Sequence, residues 1–324
     1  MLSRVANAIY WMCRYIERAE NVARFISVNL NLLLDMPLED NRHWEPMVIT
    51  TGDQALFEQR CPDYNQETVL RFLTFDRDYP NAILTCLAAA RENARSIREI
   101  ISSEMWEHLN NFYLELADSD SVNLALTDPN RFYKIIQMRS HLFTGLMDCT
   151  MSHSEAWNFA RIGRMIERAD KTSRILDVKY FMLLPQADMV NTPIDNIQWM
   201  AVLKSASAFE MFRKQHHRIT PRAVADFLIF DRQFPRSIRH CVSKAQICLH
   251  RIAGSTPGSA HNPAEKRLGR LMADLEYLDI DEVVERGMHE YLDGLQTQLN
   301  QVDASIGSTF FNLRPLLETD AQEQ

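Results

Sequence analysis

The sequence predicts an all-α protein, a large helical bundle built from two similar halves with a pseudo-twofold internal repeat. Three observations carry this. Helix formers such as Leu, Ala, Met, Glu and Arg are plentiful, while glycine is scarce, at 9 of 324 residues. Apolar residues recur with the helical period along most of the chain, and no run alternates with period two as a half-buried strand would. Two blocks of sequence also occur twice, in the same order.

The elements follow from apolar periodicity and turn residues. A first helix over roughly 2–35 ends at "DMPLEDN", and a second over roughly 44–60 ends at "CPDYNQ". Helices over roughly 66–75 and 80–116 flank "FDRDYP", where a proline suits a helix start. The segment "DSDSVNLALTDPN" reads as a loop. Asp128-Pro129 then opens a helix over roughly 129–150 as N-cap and first-turn proline. A helix over roughly 153–183 ends at "LPQADMVNTPIDN". Roughly 194–217, 221–230 and 234–253 follow, the last two flanking "FDRQFP". After "AGSTPGSAHNP" come helices over roughly 263–276 and 280–305.

The duplication is specific. An offset of 150 residues carries Arg14, Ile16, Glu17, Arg18, Ala19 and Arg24 of "YIERAENVAR" and its flank onto Arg164, Ile166, Glu167, Arg168, Ala169 and Arg174 around "MIERADKTSR". An offset of 155 carries "VLRFLTFDRDYPNAI" onto "VADFLIFDRQFPRSI", and Cys86 onto Cys241. The period is too long for a solenoid. The halves, approximately 1–150 and 151–324, are expected to share one core in a single domain over 1–324, as in a fused dimer.

On a helix, Met12, Tyr15, Ile16, Ala19, Val22, Ala23 and Ile26 form one apolar stripe. Arg14, Glu17, Arg18, Asn21 and Arg24 line the opposite face, and Arg164, Glu167, Arg168, Lys171 and Arg174 repeat the layout. Three readings stand. The face is solvated and held by i,i+3 and i,i+4 pairs worth roughly 0.2–0.5 kcal/mol each. Or the two helices meet, and Glu17 and Glu167 are held by arginines in a buried network. Or the surplus of arginine lines a site for an anion, because a buried excess of guanidinium needs a counter-charge or water. At the Phe-Asp-Arg corners, Asp76 and Asp231 are expected to cap backbone amides, with Arg77 and Arg232 adding to the other arginines if the corner folds toward them.

Other classes are excluded or weakened. The net charge of −8 argues against a general nucleic-acid binder. No apolar run approaches the length of a membrane span, and the N-terminus lacks the long apolar block of a signal peptide. The six cysteines form no CxxC and read as reduced thiols of a cytoplasmic protein. There is no GxxxxGK[ST], GxGxxG, HExxH or Glu-x-x-His, so no cofactor and no metal is expected. His108, His141 and His153 have no repeat partner and no metal spacing.

The stretches "RVANAIYWMCRYIERAENVARFI" and "FARIGRMIERADKTSRIL", with the Phe-Asp-x-x-x-Pro corner in each half, resemble the alpha-E family of bacterial all-helical proteins, named for a Glu-Arg motif. The resemblance covers essentially the whole chain. It implies a genomic partnership with a circularly permuted ATP-grasp protein and a transglutaminase-like protease, a set proposed to make or process a small peptide or amide-linked tag. The expected role is a non-catalytic accessory component that binds the ATP-grasp partner or an anionic peptide or small-molecule ligand. Self-association stays open. Two alternatives stand: an enzyme whose arginine-rich pocket acts on carboxylate or phosphoryl groups, with Glu17 or Glu167 as acid/base, and a structural helical scaffold.

Overall fold

The computed structural model describes residues 1–35, 44–61, 63–182, 193–256 and 258–312. Among these, every regular element is helical. In chain order the helices are α1 (Ser3–Asp35), α2 (Glu45–Thr51), α3 (Gln54–Arg60), α4 (Gln66–Phe75), α5 (Ile83–Ser96), α6 (Ser103–Ala117), α7 (Ser119–Thr127) and α8 (Pro129–Thr150). They continue as α9 (Glu155–Met182), α10 (Pro193–Ser205), α11 (Phe209–Gln215), α12 (Pro221–Phe230), α13 (Ile238–Ala253), α14 (Pro263–Tyr277), α15 (Ile280–Arg286) and α16 (Met288–Ile306), with a π-helical turn over Gly307–Phe311.

Local chemistry sets many of the boundaries. Asp128 caps α8 by accepting from the Arg131 amide, with Pro129 at the first position. Asn65 and Thr68 form a reciprocal capping box on α4, and Thr220 caps α12 ahead of Pro221. Several long periodic stretches are broken where periodicity alone predicts one helix. The 44–60 stretch breaks at Gly52 (φ 82) and 280–305 at Gly287 (φ 92). The 194–217 stretch breaks at Ser207, whose φ of 50 lies in the left-handed region. The 80–116 stretch divides into α5 and α6, with the Ser102 hydroxyl capping α6 at the Met105 amide. Conversely α7 forms inside the segment read as loop, because Asp118 accepts from the Asp120 amide and starts a helix. The predicted breaks at "DMPLEDN" and "LPQADMVNTPIDN" lie mostly outside the described residues.

The two long Glu-Arg helices form the centre. α1 packs chiefly on α9, α5 and α8, and α9 on α13, α1 and α16. Ile9, Tyr10, Met12, Ala19, Ala23 and Ile26 of α1 are fully buried, as are Ala160, Ile162, Ala169 and Leu176 of α9. Burying one such branched side chain contributes roughly 1.5–3 kcal/mol. Contacts advance in the same direction along both helices, from Met1–Glu155 through Tyr10–Gly163 to Glu17–Arg168, so the pair is parallel. Gly163 sets the approach. A Cβ there would stand 2.4 Å from the Tyr10 carbonyl oxygen, so only glycine lets the helices meet this closely.

Candidate functional site

The charged face of the two Glu-Arg helices is not solvated. Glu17 is 4% exposed and Glu167 0%, and each is held by the opposite helix. Arg18 grips Glu167 as a fork, Nε to Oε1 at 2.7 Å and Nη2 to Oε2 at 3.0 Å. Arg168 grips Glu17 in the same way, at 2.7 and 2.8 Å. Planar guanidinium is the one cation that makes this two-bond fit, so lysine would not substitute. The corners complete the exchange. Asn81, just after Pro80, accepts from Arg18 Nη1 at 2.6 Å. Arg236, just after Pro235, donates from Nη1 to Glu17 Oε1 at 3.2 Å and from Nη2 to Glu20 Oε2 at 2.8 Å.

Around Glu167 the network is closed. Arg14 adds Nε to Oε2 at 2.9 Å, and Lys171 Nζ lies 3.7 Å from Oε1. The Asp303 carboxylate of α16 balances Arg14, 2.5 Å from Nη1. That contact is an ion pair rather than a directed hydrogen bond. Asp303 also accepts from the Tyr10 hydroxyl at 2.5 Å. Asn81 is braced in turn by Asp53, which also accepts from Tyr79.

Around Glu17 the network is open. A cleft of about 440 Å³ lies beside it. Arg164, Arg168, Arg236, Glu17, Glu20 and His141 supply its charged and titratable lining. Ile16, Phe143, Met147, Phe234 and Pro235 supply apolar wall, and Cys13, Ser140, Thr144, Gly145 and Ser207 fill in between. Arg164, the counterpart of Arg14 at the 150-residue offset, has no strong partner. Its Nη2 is 3.8 Å from Asp148, and its buried Nε and Nη1 have no hydrogen-bond partner among the described residues. The Ser140 hydroxyl and Arg24 Nε are likewise buried and unpaired among the described residues. Buried polar groups are seldom left so. Ser207 stands in a left-handed conformation that favours glycine, and its hydroxyl is held by Arg24. Gly145 sits inside α8, where alanine would be more stable by roughly 0.5–1 kcal/mol. No atom lies within 4 Å of the Cβ it lacks, so packing does not require glycine at this place in the cleft lining.

Electrostatics separate the two sides. Burial would raise the Glu167 carboxyl, but Arg18, Arg14 and Lys171 together hold it well below its ordinary 4.5. Glu17 is lowered too, against burial, chiefly by Arg168 and then Arg236. Arg18 is raised despite burial because Glu167 is close, and Arg14 is raised against burial by Tyr10, then Glu167 and Asp303. Arg168 is raised likewise by Glu17, but Arg164 and Arg236 of the cleft and the neighbouring Arg24 go the other way. Burial and then the neighbouring Arg236 pull Arg24 down to about 8, and burial and then Arg168 pull Arg236 down to about 10. Arg164 is lowered by burial and then Arg168. Arginine keeps its proton in proteins, so these directions express first the burial of the guanidinia and then their crowding by one another. Burial, then Arg24 and Arg236, bring His141 down to about 4, leaving it neutral at neutral pH. Burial pushes the Cys13 thiol up to about 12, so it is no nucleophile.

The structure thus gathers Arg14, Glu17, Arg18, Arg24, Arg164, Glu167, Arg168 and Arg174 in one interior band. Arg24 pairs with Glu20 of its own helix, and Arg174 with Asp170 at 3.0 Å. The corner residues stay apart from the band. Asp76 accepts from the Asp78 amide, and Asp231 from the Gln233 and Phe234 amides. Arg77 and Arg232 are exposed, and Arg232 reaches Glu276 rather than the Glu-Arg helices. The cation the second corner sends inward is Arg236, visible in "FPRSI" but not singled out by sequence reasoning. His141, Ser207 and Asp303 were also missed as site residues. They come from elements outside the repeated blocks, so no pattern marked them. Among the described residues no three His, Cys, Asp or Glu side chains are grouped to hold a metal, and no helix is long and apolar enough to cross a membrane.

A family model described as "a predicted alpha-helical domain with a conserved ER motif", Alpha-E, matches residues 1–311. The chain belongs to the Alpha-E family. This chain carries the Glu-Arg step at Glu17-Arg18 and at Glu167-Arg168. Similar proteins include uncharacterized proteins of Mycobacterium bovis and Mycobacterium tuberculosis, each 22% identical over 329 residues. The alignment covers 92% of this chain but 36% of each of those proteins, so the chain spans about a third of the length of the curated relatives it matches. No solved structure matches it.

Proposed function

We propose that this Alpha-E chain is a binding component of an amide-bond-forming system, and that the cleft beside Glu17 receives an anionic group of that system's substrate. Arg164 carries the reading: a buried guanidinium bordering a cleft, with two donor atoms unsatisfied among the described residues. A carboxylate or phosphoryl oxygen in the cleft would pair with this guanidinium and offset its uncompensated charge. The closed Glu167 network is the structural half of the same device, fixing the helix pair that frames the cleft.

The organisation we infer behind it is two similar halves, approximately 1–150 and 151–324, related by a pseudo-twofold axis between the parallel helices α1 and α9. The exchanged forks and the matched approach of Asn81 and Arg236 support this. The resemblance stated above supplies the partners: a circularly permuted ATP-grasp protein and a transglutaminase-like protease, acting in the cytoplasm. Relatives in which the matched region is about a third of the chain accord with a region that works beside others. The enzymatic alternative gains nothing from the site, since Glu17 and Glu167 are both held as anions and are weak proton-transfer groups near neutral pH.

The test is reconstitution with the ATP-grasp partner, reading complex formation, ATP turnover and product mass. The reading expects a complex, more product with the chain than without it, and loss of that gain in Arg164→Gln while the complex persists. No complex and no change in turnover or product would refute it.

A further inference from the structure

Resting on the anion-site reading above, we infer that the cleft takes a carboxylate attached to an apolar body, such as the C-terminal carboxylate of a peptide ending in a large apolar residue. Charge selects the carboxylate. The charged lining consists of Arg164, Arg168 and Arg236 against Glu17 and Glu20, with His141 neutral. Adding the pair partners just outside the lining, Arg24 and Asp148, leaves the same surplus of one positive charge. A single negative charge balances it. A phosphate dianion would overshoot and would face two carboxylates in the same cleft.

The wall selects the body. Ile16, Phe143, Met147, Phe234 and Pro235 present apolar surface along the same cleft. The volume of about 440 Å³ lies within the usual range for a small organic ligand, roughly 300–1,000 Å³. A bare inorganic ion would leave that wall uncovered. Ser140, whose buried hydroxyl is unpaired among the described residues, also lines the cleft. An amide-forming system consumes a carboxylate, so this is the group such a component would present.

Calorimetric titration of the full chain tests this with five probes. They are N-acetyl-phenylalanine, its neutral C-terminal amide, N-acetylglycine, N-acetyl-Ala-Ala-Phe and inorganic phosphate. The inference expects N-acetyl-phenylalanine to bind at least tenfold more tightly than the amide and than N-acetylglycine, and phosphate not to displace it. Arg164→Gln should weaken binding at least tenfold without lowering the melting temperature. Gly145→Phe, which fills the cleft from a position with free space, should abolish binding even if Arg164→Gln proves unstable. Tighter binding of N-acetyl-Ala-Ala-Phe would assign a peptide terminus, and no gain would assign a free acid of the same chemistry. Equal binding of acid and amide overturns the inference. Phosphate binding that Arg164→Gln removes, without binding of the acid, overturns it but leaves the anion-site reading standing. Binding of none of these anions overturns both.

Discussion

Replacing Glu167 by glutamine isolates what the crossed forks contribute. Glu167 is 0% exposed and accepts from Arg14 Nε and from Arg18 Nε and Nη2, with Lys171 nearby. Glutamine keeps the shape but removes the charge. Its amide nitrogen would also turn a donor toward guanidinium donors. Arg18 is then left without a counter-ion, while Arg14 keeps Asp303. Removing one partner from a buried ion pair costs about 3–5 kcal/mol. With an unfolding entropy of roughly 2.1 cal/mol/K per residue, the 324-residue chain converts this to a fall in Tm of about 4–7 °C. Urea unfolding followed by circular dichroism measures the free energy, and thermal melts measure the shift. An Arg18→Gln partner variant closes a double-mutant cycle, with an expected coupling of about 1–3 kcal/mol. A loss below about 1 kcal/mol, the value of an exposed pair, would refute the buried fork.

Other outcomes follow from the same geometry. Gly163→Ala should lower stability by about 1–3 kcal/mol in urea melts, because its Cβ meets the Tyr10 carbonyl at 2.4 Å; a neutral result would mean that the helices cross elsewhere. Arg164→Gln should leave stability within about 0.5 kcal/mol or raise it, since that cation lacks a close carboxylate, and a large loss would show a partner the cleft does not have. Glu17 and Glu167 are lowered in the fold, so their stabilisation is present above about 4.5 and is lost as pH falls below it, which acid titration of the urea midpoint will show. His141 is lowered from 6.5 to about 4 beside Glu20, Arg24 and Arg236, so it subtracts stability as pH falls from 6.5 toward 4. His141→Gln should flatten that interval, and an unchanged slope would assign it to other groups.

The fold was legible where signals were local and periodic. The apolar stripe beginning at Met12 and the Asp128-Pro129 cap gave α1 and α8 directly. Periodicity carried through Gly52, Ser207 and Gly287, because a single left-handed residue breaks a helix without disturbing the apolar rhythm on either side. The Glu-Arg forks were legible as a pair because the sequence repeats them, but which helix each arginine serves depends on packing. Arg14 and Arg164 occupy matched positions, yet only Arg14 meets a glutamate. Asp303 and His141 reach the band from α16 and α8, and nothing in the repeat points to them.

Two matched Glu-Arg copies exchange forks across α1 and α9, one closed around Glu167 and the other open to a cleft at Glu17. Anomalous diffraction from bromide-soaked crystals tests this most directly. The account predicts a bromide peak within hydrogen-bonding reach of Arg164 in the cleft and none beside Arg14, Arg18 and Glu167. An empty cleft, or equal peaks at both glutamates, would contradict it.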